Sequence, residues 1–161
     1  MPIIDMPLEE LKVCKGKNPC PKDMDPFWDA AIVEMKAVEA NVELVPSSFS
    51  TSFADCFDLW FTGVRGARIH AKFLRPKNLK GKVPAVLQFH GYTGNCGDWV
   101  GKLSYAAAGF IVAALDCRGQ GGLSEDVGGV KGNTHNGHII RGLDDKPENM
   151  LMRHILSLIH I

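Results

Sequence analysis

The chain has no excess of charge of either sign. Its 161 residues carry 18 Lys and Arg against 18 Asp and Glu. A balanced chain has no overall field to attract nucleic acid or an anionic membrane surface, so neither is expected as a partner. No stretch approaches the roughly 18 apolar residues that a membrane span needs. The start, MPIIDMPLEEL, has no basic segment leading into a long apolar run, and no secretory leader is expected from it. The cysteines at 14, 20, 56, 96 and 117 are odd in number and include no C-x-x-C pair. They read as reduced thiols of a cytosolic protein. Internal repeats and low-complexity tracts are also lacking. What remains is ordinary globular composition, 45% hydrophobic and 22% charged. That excludes a disordered or collagen-like chain. A compact chain of this length buries roughly 70% of its unfolded surface, enough for a real core.

The first forty residues read as polar and helical. Pro7 to Lys12 is a short amphipathic turn or two, and Cys14 to Asp23 is a Lys- and Pro-rich loop. Asp25-Pro26 supplies an N-cap acceptor followed by Pro at the first helical position. Phe27, Ala31, Met35 and Val38 then line one face of a helix ending near Ala40. From Val42 the period changes. Val42 to Pro46 alternates briefly, and Cys56 to Thr62 is aromatic and strand-like. Gly63 to Gly66 turns the chain into a second strand, Ala67 to Leu74. Its Ile69, Ala71 and Phe73 share one face, and His70 and Lys72 share the other, polar one. The pair reads as an antiparallel hairpin.

The next block differs in kind. Val83 to Phe89 is almost continuously apolar, as expected of a strand buried on both faces. Residues 98–109 carry a helical pattern that stops at Gly109. Ile111 to Leu115 is a second short buried strand. Strand, helix and strand make a βαβ unit with parallel strands and a right-handed crossover. Residues 116–146 hold eight glycines and no clear period. Residues 147–156 begin another helix.

Sites in parallel sheets form beyond the carboxyl ends of the strands. Two such ends occur, at Phe89-His90-Gly91-Tyr92-Thr93-Gly94 and at Leu115-Asp116-Cys117-Arg118-Gly119-Gln120-Gly121-Gly122. An apolar strand running into His-Gly is the setting of an oxyanion-hole loop, where small residues let backbone N–H groups approach a developing negative charge. Asp-x-Arg-Gly-x-Gly after the next strand recurs in the same fold. There Arg118 can tether loops through its fork of donors. The two motifs separated by one helix are stronger than either alone. A dinucleotide fingerprint fails, because Ser124 stands where the third glycine is required.

Taken together, MPLEELK, DMDPFWD, the Phe61–Ile69 hairpin, QFHGYTG, LDCRGQGG and RGLDD resemble the acetyl xylan esterase and cephalosporin-C deacetylase group, carbohydrate esterase family seven. Arg118, Gly119 and Gln120 match its RGQ motif. Tyr92, after Gly91, matches the residue whose backbone N–H serves the oxyanion hole and substrate contact. The resemblance implies an α/β fold, the N-terminal part of an α/β-hydrolase. It implies a serine esterase with no metal and no other cofactor, acting on short acetylated xylo-oligosaccharides and on the acetoxy group of cephalosporin C. It further implies a cytoplasmic, ring-like homo-hexamer. In that chemistry Ser attacks the acetyl carbonyl, His takes its proton and Asp orients the His.

The chain departs from this pattern at the nucleophile. None of its serines, at 47, 48, 50, 52, 104, 124 and 157, has the flanking glycines of a G-x-S-x-G elbow. No catalytic Ser, Asp or His is therefore assignable. His135 and His138 share H-x-x-H spacing in the Gly-rich stretch and read as loop residues. Residues 1–155 are expected to be the N-terminal portion of one esterase domain. Leu156 to Ile161 is what CTGTCTCTTATACACATC, a library-adaptor sequence, would encode, and is expected to be a non-native scar. The other readings are a different α/β-hydrolase of peptidase or dienelactone type, and a non-catalytic binding module.

Overall fold

In the computed structural model, residues 5–126 and 140–158 are described. Among the described residues four α-helices and five strands follow in the order α1 (Leu8–Val13), α2 (Met24–Lys36), β1 (Glu43–Pro46), β2 (Ala54–Thr62), β3 (Arg68–Pro76), β4 (Ala85–Phe89), α3 (Val100–Ala107), β5 (Ile111–Leu115) and α4 (Leu151–Leu158). The strands form one mixed sheet in the order β1-β2-β3-β5-β4. β1, β2 and β3 pair antiparallel, and β5 runs antiparallel to β3. β4 pairs parallel with β5, Phe89 opposite Leu115, so α3 is the crossover helix of a βαβ unit.

α2 starts earlier than Asp25-Pro26 suggests. The helix begins at Met24 and Asp23 holds the cap position without a side-chain bond. Pro26 still falls in the first turn, where its missing N–H leaves no intrahelical bond unmade. The helix also ends sooner, at Lys36. The Ala40 carbonyl accepts the Thr62 N–H at 2.6 Å, so tertiary pairing takes the backbone that a longer helix would use. Ala31 and Met35 are the buried members of its expected face. α3 stops where Gly109 predicts. Gly109 lies at φ +93°, its N–H bonds Ala106 O, and the Phe110 N–H bonds Tyr105 O, both at 3.0 Å. That is a helix end closed by a left-handed glycine.

The two faces of the sheet are unlike. On one, Ala54, Cys56, Leu74 and Val112 pack with Ala106 of α3, flanked by Phe49, Trp99 and Leu103. On the other, Phe61, Ala67 and Ile69 pack with Leu59 and Leu115. Here β4 departs from expectation. Its run is apolar enough for burial on both faces, yet it is an edge strand, and Leu87 is 62% and Phe89 47% exposed. Ala40, Val42, Leu59, Phe61, Ala71, Leu87, Phe89, Ala113 and Leu115, with Gln88, line an open apolar concavity of about 210 Å³ on that side. Composition made β4 suitable for an interior place, but among the described residues nothing flanks its outer edge.

Candidate oxyanion-loop site

Both motif loops leave the same end of the sheet, because they follow paired parallel strands. The loop after β4 is a tight turn. Gly94 N–H bonds Gly91 O at 3.0 Å, and Thr93 sits in the left-handed region at φ +66°. A β-branched residue there carries strain of roughly 1–3 kcal/mol, which persists only where the surroundings enforce it. Gln120 is part of that enforcement. Its Oε1 accepts the Thr93 N–H at 2.8 Å. The Gly121 N–H bonds Gly94 O at 3.0 Å. His90 completes the join: its Nδ1 donates to Gly91 O at 2.7 Å, and its Nε2 accepts the Cys117 N–H at 2.9 Å. A ring with its proton on Nδ1 satisfies both contacts. Tyr92 projects from this turn half-exposed, and a Cβ built on Gly91 would meet nothing within 4 Å.

Arg118 is fully buried and turns toward the β2–β3 connection. Its Nη1 donates to Val64 O at 3.1 Å, and its Nη2 lies 3.4 Å from Asp126 Oδ1. Burial lowers the guanidinium's pKa, and Asp126 opposes that. Arg141 also pairs with Asp126. Of the RGQ residues, then, Gln120 touches the loop after β4 and Arg118 ties the segment after β5 to the turn at Val64.

Beneath the loops lies a polar cluster that sequence reasoning missed. His70 does not face solvent on a polar side of β3, as the alternation suggests. It is 1% exposed, because β3 is a central strand covered on both faces. Its Nδ1 lies 2.7 Å from Asp116 Oδ2 and its Nε2 3.0 Å from Asp58 Oδ1. Burial disfavours a charged ring, but hydrogen bonds with Asp116, Cys96 and Asp58 outweigh it and raise the His70 pKa to about 10. Burial also works against the Asp116 carboxylate. His70 and the Leu123 and Cys96 backbone N–H groups hold it far below the ordinary carboxylate range all the same. Those N–H groups donate at 3.0 and 2.5 Å.

Ser124 closes the cluster. Its buried hydroxyl donates to Asp116 O at 2.6 Å and accepts the His70 N–H at 2.8 Å. Gly122 passes so near Asp116 that a Cβ there would overlap the carboxyl carbon and both oxygens. The one sequence signal for the cluster was Asp116 itself, at the head of the Arg-Gly-Gln motif. Nothing in the local pattern marked His70 as its partner, or Asp58 as the partner of His70.

His70, Cys96 and Asp116 also place donor atoms within 4.8 Å of one another, close enough to hold a cation. Both ring nitrogens already face carboxylates, and Asp116 already accepts two backbone N–H groups. The cluster is saturated by its own members, and an ion would have to break the ion pair to enter. His135 and His138 lie outside the described residues.

A mixed sheet with a βαβ unit, and two strand-end loops locked together around a His-Gly turn, define the N-terminal part of an α/β-hydrolase-type fold. The family model described as "Acetyl xylan esterase (AXE1)" matches residues 1–159, and the chain belongs to that family. It is 61% identical to acetyl xylan esterase 1 from Thermoanaerobacterium sp. JW/SL YS485, with a TM-score of 0.86 over 95% of this chain and 48% of that one. Acetyl xylan esterase from Paenibacillus sp. R4 aligns at 28% identity and a TM-score of 0.77, over 93% of this chain and 48% of that one. Dipeptidyl-peptidase 5 of Schizosaccharomyces pombe is 35% identical over 101 residues, 57% of this chain and 14% of that protein. The chain thus spans about half the length of the solved esterases it matches. No helix among the described residues is long and apolar enough to cross a membrane.

Proposed function

We propose that this chain supplies the oxyanion-loop half of a serine carboxylesterase that removes acetyl groups from short acetylated xylo-oligosaccharides. The observation that carries the reading is the turn at His90–Gly94, clamped by Gln120 on the Thr93 N–H. A turn held rigid before the reaction can aim a backbone N–H, here that of Tyr92, at the oxygen on which charge develops. Gly91 leaves open space beside it for a small acyl group. A serine from the polypeptide that completes the fold attacks the acetyl carbonyl, and a His supported by an Asp takes the serine's proton. The same His then gives that proton to the departing sugar oxygen, which leaves as a hydroxyl, and water releases acetate from the acyl-enzyme. Arg118 and Gly119 hold the neighbouring loop, and no cofactor takes part. Residues 1–155 form the N-terminal portion of the esterase domain. The acetoxy group of cephalosporin C fits the same chemistry. The completed protein is a cytoplasmic homo-hexamer in this reading.

The test is a hybrid in which residues 1–155 replace the equivalent region of the Thermoanaerobacterium esterase, to which the chain is 61% identical. It should release acetate from acetylated xylo-oligosaccharides and leave dipeptide anilides and lactones intact. The likeness to a dipeptidyl peptidase makes the peptide the informative control. A folded hybrid that prefers the peptide or the lactone, or that hydrolyses neither class, would overturn the reading.

A further inference from the structure

His70 links the central strands of the sheet to the buried cluster beneath the loops. Its ring joins Asp58 of β2 to Asp116 at the end of β5. Its backbone does the same work: its N–H donates to Ser124 Oγ at 2.8 Å, and its carbonyl accepts the Asp116 N–H at 2.9 Å. We propose that His70 is a positioning residue for the acyl-transfer site, which pins the Asp116 carboxylate so that the loops after β4 and β5 hold the oxyanion N–H in place. The inference rests on the esterase reading for its purpose and on the geometry for its substance.

The two loops are joined at Gln120–Thr93, at Gly121–Gly94, at His90–Cys117 and at Asp116–Cys96. Of these, the Asp116–Cys96 join depends on the orientation of a carboxylate. The terminal torsion of an aspartate is soft, so a carboxylate held by backbone donors alone can swing. Oδ2 takes the shorter bond from the His70 Nδ1–H, at 2.7 Å, and a second from the Leu123 N–H, at 3.0 Å; so held, it leaves Oδ1 facing the Cys96 N–H, three residues beyond the strained Thr93. The charged and titratable groups around the ring are Asp58 from β2, Asp116 from the end of β5 and Cys96 from the loop after β4. Lys102 of α3 lies behind them, with its Nζ on the Cys96 and Asp98 carbonyls. Removing the imidazole leaves a buried carboxylate short of its counter-ion, a state that favours rearrangement of the segment it anchors.

Amide exchange of the isotope-labelled chain tests this without any ester substrate. In His70→Gln, the Cys96 and Leu123 amides should exchange about tenfold faster or more, the scale of one lost charge-assisted hydrogen bond. The Leu74 and Val112 amides, in the sheet beside the α3 core, should change by less than about threefold. A uniform rise across the sheet would make His70 a structural residue only, and unchanged loop amides would remove the role altogether. The unaltered chain provides a second measurement that needs no variant. Followed from pH 7 to 11, the Thr93, Cys96 and Leu123 amide resonances should shift together with the His70 ring near pH 10. Loop amides that stay fixed while the ring titrates would refute the proposal. Both measurements read N–H geometry, so failure of the hybrid esterase leaves them standing, and their failure leaves the esterase reading standing.

Discussion

Replacing Gly122 with Ala puts one methyl group where the structure has no room for it. Gly122 has ordinary backbone angles, so the cost is purely one of space. The new Cβ would overlap the Asp116 carboxyl group, and that group cannot retreat freely. It is 1% exposed and accepts from Cys96 N–H at 2.5 Å, His70 Nδ1 at 2.7 Å and Leu123 N–H at 3.0 Å. Overpacking a close-packed interior costs about 1–3 kcal/mol. Displacing the carboxylate from one charge-assisted donor adds about 1.5–3 kcal/mol. The expected loss is therefore about 2.5–6 kcal/mol, a large share of the roughly 5–15 kcal/mol that holds a domain together. Urea unfolding of Gly122→Ala beside Gly91→Ala measures it. A Cβ at Gly91 meets nothing within 4 Å, and its φ is not positive, so that variant should stay within about 0.5 kcal/mol of the parent. A Gly122→Ala chain within about 1 kcal/mol of the parent would refute the claim that Asp116 is fixed where the structure puts it.

The pH dependence of stability follows from the same cluster. His70 is raised to about 10 in the folded chain, above its ordinary value of roughly 6.5, so its contribution is complete below about pH 6.5 and is lost as pH rises through 10. Asp116 is depressed, so its contribution is present above about pH 4 and is lost as pH falls further. Urea midpoints from pH 3 to 10 should trace both limbs, and His70→Gln should flatten the alkaline one. The 161-residue chain should show no burst and no turnover of p-nitrophenyl acetate above background, since no serine sits in an elbow and the Ser124 hydroxyl is committed to Asp116 and His70. A stoichiometric burst would contradict this. The open apolar side of the sheet should bind a hydrophobic dye and promote association, and Leu87→Lys with Phe89→Lys should reduce both at little cost in unfolding free energy. Undiminished dye binding in the double variant would place the exposed surface elsewhere.

Much of the architecture was legible in the residue order, because it depends on local pattern. Alternation marked the β2–β3 hairpin, the four-residue spacing of Phe27, Ala31 and Met35 marked the inner face of α2, though Val38 falls beyond its end, and Gly109 marked the end of α3. Two strand ends carrying His-Gly and Arg-Gly-Gln bore the likeness to a family that the family model matches over residues 1–159. Three things were decided only by the folded chain. An apolar run says that a strand can be buried, but whether it is depends on its neighbours, and β4 stands at an edge. Alternation assigns His70 a face, but whether that face is wet depends on what covers it, and β3 lies at the centre. Asp116 was visible in its motif, but its partner His70 lies 46 residues away, and Asp58, which holds the other side of that ring, lies 58 residues from Asp116. An ion pair between such distant positions leaves no period or spacing in the chain. It exists because three strands bring those side chains to one face of the sheet, where burial makes each of them depend on the others.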